Sequence, residues 1–150
     1  MTEALTDDRT ELHGLTRVRA LLAAGGRPPI GETLAFELVE VDFGRAVFEG
    51  VPGRHAYNPM GTVHGGYAAT LLDSACGIAT ASRLAAGEAF TTLELKVAYH
   101  KAMTERTGKV RAEGVVVSMG RRVAYAEARL VDESGKLLAS ATSTLLVMAK

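Results

Sequence analysis

Hydrophobic and polar positions change their period several times along the chain, and each change marks an element. Leu12, Leu15, Val18, Leu21 and Leu22 recur at three- and four-residue spacing behind Asp7 and Asp8. That spacing predicts an amphipathic helix, ended by Gly25-Gly26 and Pro28-Pro29. Over 32–43 the alternation of Leu34, Phe36 and Leu38 predicts a strand, Asp42-Phe43-Gly44 a turn, and Ala46, Val47 and Phe48 a second strand. Residues 51–63, rich in Pro, Gly and Asn, read as a loop. From Gly65 to about Ala86 the chain is nearly apolar all round, which predicts one long helix buried on most sides. Ala68, Leu71, Leu72, Ala75 and Ile78 form one stripe of it. Gly66, Ala69, Thr70, Asp73, Cys76, Gly77 and Thr80 form a second face of small residues around an acid.

Alternation returns in residues 90–100, 109–118, 122–131 and 137–148. Met119-Gly120-Arg121 and Asp132-Glu133-Ser134-Gly135 are short enough for hairpins, so the last three strands are expected to form an antiparallel meander. The pattern predicts an α+β fold in a single domain, 1–150: an antiparallel β-sheet wrapped around one long central helix, with an extra N-terminal helix in the extension 1–28.

Charge and composition narrow the function. Seventeen basic and 17 acidic residues give a formal net charge of zero, so no global field draws the chain to nucleic acid or an anionic membrane. Cys76 stands alone, which excludes an intramolecular disulfide and suits a small core residue. The first residues lack a secretory pattern, and no apolar run approaches the roughly 20 residues of a membrane span, so a cytoplasmic location is expected. His13, His55, His64 and His100 show no ligand spacing, and no metal is expected.

One constellation carries chemistry. A polar, glycine-rich turn, Asn58 through His64-Gly65-Gly66, opens the long helix, and Asp73 sits inside the apolar segment that follows. Burial disfavours the charged form of such an acid, so it needs a partner or a task. These residues, with the helix and meander around them, resemble the hotdog-fold thioesterases, and among them the PaaI-like phenylacetyl-CoA and 4-hydroxybenzoyl-CoA thioesterase group. The likeness runs from about Pro29 to Met148 and takes in Thr91-Thr92 and Gly120-Arg121.

The resemblance implies an acyl-CoA or aryl-CoA thioesterase that releases a free acid and coenzyme A without a metal or redox cofactor. Asp73 would be the catalytic carboxylate, Gly65 would donate its backbone N–H to the thioester oxygen, and Asn58 and His64 would shape the site. It also implies dimers that pair into tetramers. The hydroxybenzoyl type carries a threonine one helical turn after the acid where this chain has Gly77, which points to the phenylacetyl-like branch.

Physical chemistry agrees with those roles. A helix N-terminus presents unpaired N–H groups and partial positive charge, which a developing oxyanion requires. Asp73 can deprotonate a water or attack directly, and the residues leave both routes open. His64 and Asp73 are nine residues apart, or about 13 Å along a helix, too far for one carbonyl to touch both ends. The acid and the donor therefore have to come from two copies with antiparallel helices, which predicts a homodimer with two shared sites. Thr92, or its neighbour Thr91, is placed to orient the water. Lys101, Arg121 and Arg122, with Gly66, Thr91 and Gly120 beside them, are the candidates for substrate and coenzyme A contacts. Arg106, Lys109 and Arg111 read as a solvated strand edge. The competing readings are a non-catalytic acyl-CoA binding or sensing protein on the same fold, and a hydratase or dehydratase. The second needs a His and an acid poised over a Cα–Cβ bond, whereas Asn58, Gly65 and Asp73 suit carbonyl attack.

Overall fold

The computed structural model describes residues 13–149. Its elements are α1 (His13–Ala23), α2 (Pro29–Leu34), β1 (Phe36–Asp42), β2 (Arg45–Gly50), a 3-10 turn (Arg54–Ala56), α3 (Gly65–Ala81), β3 (Glu88–Tyr99), β4 (Val110–Met119), β5 (Val123–Asp132) and β6 (Leu137–Ala149). The strands form one antiparallel sheet in the order β1-β2-β4-β5-β6-β3. The expected meander is present as β4-β5-β6. The strand before it, β3, crosses over to pair with β6 and becomes a sheet edge.

Alternation explains how the sheet holds α3. Ala124, Ala126, Ala128 and Leu130 of β5 are buried while Val123 and Glu127 are exposed, as a strand with one packed face requires. Ala68, Leu71, Leu72 and Ala75 of α3 have no exposed surface, and the helix touches all six strands. Small residues on the sheet make this close approach possible: a Cβ on Gly114 of β4 would run into the backbone of Ala75 and Cys76.

Four sequence expectations change. Residues 32–34, expected to start a strand, belong to a helix over Pro29–Leu34, because Pro29 suits the first helical turn and Ala35, at φ 59°, ends the helix before β1 begins. The long helix stops at Ala81 instead of about Ala86, because the Ser82 hydroxyl donates to the Ala79 carbonyl and accepts the Gly44 N–H, tying the chain to the β1–β2 turn. The small-residue face of α3 is split. Cys76, Gly77 and Thr80 are buried inside the chain, and only Gly66, Ala69, Thr70 and Asp73 keep access to solvent. Lys109 and Arg111 do not mark a sheet edge, because Arg111 lies in β4, an interior strand, and Lys109 just precedes it. Arg111 pairs with Glu40 at 2.7 Å and Glu49 at 3.2 Å, and Lys109 pairs with Glu49 at 3.3 Å.

The N-terminal helix is present from His13, with Leu15 and Val18 buried; its expected leader, Asp7 and Asp8, and Leu12 lie outside the described residues. It docks on the end of α3 through glycine: the Gly14 N–H donates to the Leu84 carbonyl at 3.0 Å, and a Cβ at this position would strike the backbone of Ala81 and Leu84. Among the described residues no helix is long and apolar enough to cross a membrane.

Candidate active site

Asp73 lies in the third turn of α3 and is half-buried, less deeply than its apolar flanks suggest, because this side of α3 lies over β3, the edge of the sheet. Its Oδ1 accepts the Thr92 hydroxyl at 2.9 Å. Thr92 points toward α3 while Thr91 is exposed, the alternation of a strand, so the register places the second threonine on the acid. One step further on, a Cβ at Gly77 would meet the Phe90 ring at 3.1 Å. Asp73 with Thr92 and Gly77 with Phe90 are thus successive rungs between α3 and β3, four residues apart on the helix and two on the strand. Beside them the Cys76 thiol is pushed up to about 12, first by burial and then by the charges of Asp73 and Glu127, so it stays protonated.

The start of α3 is fixed from three sides. His64 is the N-cap, its Nδ1 accepting the Gly66 N–H at 2.8 Å, and its carbonyl accepts the Tyr67 N–H at 3.0 Å. The Tyr99 hydroxyl donates to the Gly65 carbonyl at 2.7 Å, and the hydroxyl oxygen and ring lie 3.0 to 3.3 Å from where a Gly65 Cβ would stand. The peptide joining Gly65 and Gly66 is therefore held at both its oxygen and its hydrogen. The Gly65 N–H donates to no group among the described residues. Of the first two helical N–H groups, one is capped and one is open. Tyr67, at 2 % exposure, anchors the opposite side of this turn in the core, and burial pushes its phenol up to about 12.

Asn58 shapes the loop that leads here. Its Oδ1 accepts the Met60 and Thr62 N–H groups at 2.9 and 3.2 Å, and its Nδ2 donates to the Thr62 hydroxyl at 2.9 Å. The side chain is engaged mainly within its own turn, an Asx-type closure.

The charged candidates fall at two ends. Lys101, exposed, lines a cavity of about 320 Å³ with His64, Gly65, Tyr99 and Met103 at the N-terminus of α3. Arg121 and Arg122 lie in the β4–β5 hairpin, closed by a 2.9 Å bond from the Gly120 N–H to the Val123 carbonyl. Val123 and Thr91 both pair with Leu146, so this hairpin lies at the Thr92 end of β3, while Lys101 follows its other end. Within one chain the structure does not bring the three together. Tyr99 and Phe90 were missed by sequence reasoning, since each is an ordinary apolar position in an alternating strand and only the crossing of β3 over α3 gives it a task. Among the described residues no three His, Cys, Asp or Glu side chains gather as a metal-binding group.

A sequence model of the thioesterase superfamily matches residues 60–139, which include the helix start, Asp73 and Thr92. The chain belongs to the thioesterase superfamily. As a member it is a thioester hydrolase by family. It is 30% identical over 119 residues to 1,4-dihydroxy-2-naphthoyl-CoA hydrolase of Listeria monocytogenes, covering 79% of this chain and 95% of that one. Among solved structures it is similar to a variant of the phenylacetic acid degradation protein PaaI from Thermus thermophilus, with a TM-score of 0.72, 30% identity, and 79% and 98% of the two chains covered. A thioesterase family protein from Silicibacter pomeroyi superposes with a TM-score of 0.79 at 26% identity over 91% and 99% of the chains. The hotdog architecture expected from the sequence is the architecture of this thioesterase.

Proposed function

We propose that this thioesterase hydrolyses an acyl-CoA or aryl-CoA thioester at a site shared by two copies of the chain, with Asp73 of one and the Gly65 N–H of the other. The observation that carries this is a separation: the open Gly65 N–H and the Thr92-bound carboxylate are eight residues apart on α3, about 12 Å, and cannot serve one carbonyl. Antiparallel α3 helices across a two-fold axis would bring each acid to the other's donor. The surface for such an approach exists. Gly66, Ala69 and Thr70 keep that side of α3 open and small, and β3 is a 12-residue edge strand with Leu93 at 58% exposure. In that arrangement Lys101 of one copy and Arg121 and Arg122 of the other flank the same site, a suitable setting for the phosphates of coenzyme A.

The chemistry follows from the two groups. A water oxygen adds to the thioester carbon as Asp73 takes its proton, and the carbonyl oxygen gains the electron pair and is held by the partner's Gly65 N–H. Reforming the C=O bond breaks the C–S bond, and the departing thiolate takes the proton from Asp73. Thr92 occupies Oδ1 and leaves Oδ2 for the water. Attack by Asp73 itself, through an anhydride, would need the same two groups in the same places.

The similarity to a 1,4-dihydroxy-2-naphthoyl-CoA hydrolase and to a phenylacetic acid degradation protein puts aryl-CoA thioesters first in an assay panel. Thiol release from acyl- and aryl-CoA thioesters should be seen with wild type and nearly lost in Asp73→Asn. Mixing Asp73→Ala with Gly65→Pro under subunit exchange should restore about a quarter of wild-type activity, since half the dimers are mixed and each holds one intact site. Mixed dimers without activity would refute the shared site, and wild type that binds these thioesters without cleaving them would refute catalysis.

A further inference from the structure

We infer that the apolar end of the substrate's acyl group lies in the half-open cavity bounded by α1, the end of α3 and the start of β3, and that its size selects an acyl chain of about eight to ten carbons or a fused two-ring aryl group. The inference rests on the hydrolase reading above. The cavity has a volume of about 300 Å³ and is lined by Val18 and Leu21 of α1, Ile78 and Ala81 of α3, Leu84, and Phe90 of β3. A cavity of about 150 Å³ lined by such side chains holds one benzene ring, so twice that volume suits the stated groups. Lining of this kind rewards each methylene that leaves water.

Position links the cavity to the chemistry. The carbonyl must sit at Asp73 and Thr92, the first rung between α3 and β3. The next rung, Gly77 with Phe90, leads away from the helix start, and the Phe90 ring that lies against Gly77 also lines the cavity. An acyl group extending in this direction reaches the Phe90 ring, which has to turn from Gly77 to admit it to the cavity it walls. Gly77 matters because a side chain on it would press the Phe90 ring toward the space that the acyl group would fill.

The outer wall is built rather than incidental. Leu15 and Val18 of α1 are each 5% exposed, and Gly14 seats the helix against the Ala81 and Leu84 backbone. That wall lies in the N-terminal extension, outside residues 60–139, the part matched to the superfamily. Gly14, Ala89 and two charged residues, Arg17 and Glu88, complete the lining; the Glu88 Oε2 already accepts the Ala85 N–H at 2.9 Å.

The test is a chain-length profile of kcat/KM with propionyl-, octanoyl-, decanoyl-, palmitoyl- and 2-naphthoyl-CoA for wild type, Leu21→Trp and Leu21→Ala. Leu21 is 37% exposed, so the larger ring can enter the cavity without displacing the core, and thermal unfolding checks that each variant is folded. Wild-type kcat/KM should rise about three- to fourfold per methylene to roughly ten carbons and then level or fall. Leu21→Trp should lower the octanoyl-to-propionyl and naphthoyl-to-propionyl ratios at least about tenfold, and Leu21→Ala should move the optimum to longer chains. A strong response for octanoyl alone assigns the space to straight chains, and for naphthoyl alone to rings. Ratios unchanged in a folded, active Leu21→Trp overturn the inference and leave the hydrolase reading intact. Absence of any turnover by wild type overturns both.

Discussion

The Thr92 hydroxyl donates to Asp73 Oδ1 at 2.9 Å, joining the edge strand β3 to the middle of α3. A hydrogen bond to a carboxylate contributes about 1.5 to 3 kcal/mol, and in the proposed mechanism this one orients the carboxylate toward the water. Thr92→Val, which keeps the shape and removes the donor, should lower kcat about 10- to 100-fold with a smaller change in KM. Thr91→Val should leave both within about twofold, since Thr91 is exposed on the other face. Steady-state kinetics on the two variants read the difference; equal losses would remove Thr92 from the mechanism.

Gly65→Pro deletes the open N–H and sets a Cβ 3.0 to 3.3 Å from the exposed Tyr99 side chain, which has to swing aside. Proline fits the first helical position, and His64, at φ −57° and ψ 136°, already has the extended conformation that a following proline demands. Activity should fall about 100- to 1,000-fold, the usual cost of an oxyanion donor. The melting temperature should stay within a few degrees of wild type, and circular dichroism during heating checks that the loss is chemical.

Tyr99→Phe removes the donor on the Gly65 carbonyl and keeps the ring against its Cα. A neutral hydrogen bond contributes about 0.5 to 1.5 kcal/mol, so kcat should fall about two- to tenfold while KM holds. Tyr99→Leu, which also removes the ring, should raise KM as well. A Phe variant indistinguishable from wild type in kcat would show that His64 alone fixes the turn.

Gly114→Ala probes the seat of the central helix. A methyl there meets main-chain atoms of Ala75 and Cys76, which cannot swing aside as a side chain can. Overpacking of this kind should cost about 3 kcal/mol, or a melting point lower by roughly 6 to 12 °C for a chain of this size. Retention of wild-type stability would mean that α3 can lift from β4.

Acid should weaken the ion-pair cluster on the outer face of β1, β2 and β4. Hydrogen bonds from Arg111 and then Arg45 hold the Glu40 carboxyl below its ordinary 4.5. A depressed folded-state value means the contribution is complete above the unfolded value and is lost as pH falls through the lower folded one. The stability difference between wild type and Glu40→Gln should therefore be constant at neutral pH and shrink below about pH 4.5. Because the Glu40 side chain is 43% exposed, solvent screening limits the difference to about 1 kcal/mol or less, and salt should reduce it. Urea titrations at several pH values measure it.

Much of this was legible in the residues. Periods of two and of 3.6 located the late strands and the central helix, because those patterns are what one packed face imposes on each element. The step from His64 to Asp73 was legible too, since helical rise is fixed and turns a count of residues into a distance. Residues 29–34 misled because the apolar Leu34 extends the alternation of Phe36 and Leu38 backwards, while the two prolines favour a helical turn. The last residues of the expected helix were lost to a tertiary bond between Ser82 and Gly44, which no local pattern records.

By itself the sequence determined the elements, the helix N-terminus with its glycines, and the spacing between acid and donor, all of which depend on local geometry. The tertiary structure decided which threonine meets Asp73, why Gly65 lacks room on the side where the Tyr99 side chain rests, and that the Phe90 ring against Gly77 also walls a cavity bounded by α1. It also decided that β3 leaves its sequence neighbour and becomes an edge. These are contacts between segments far apart in the chain, and they arise from the crossing of a strand over a helix, an angle that side-chain periodicity does not encode.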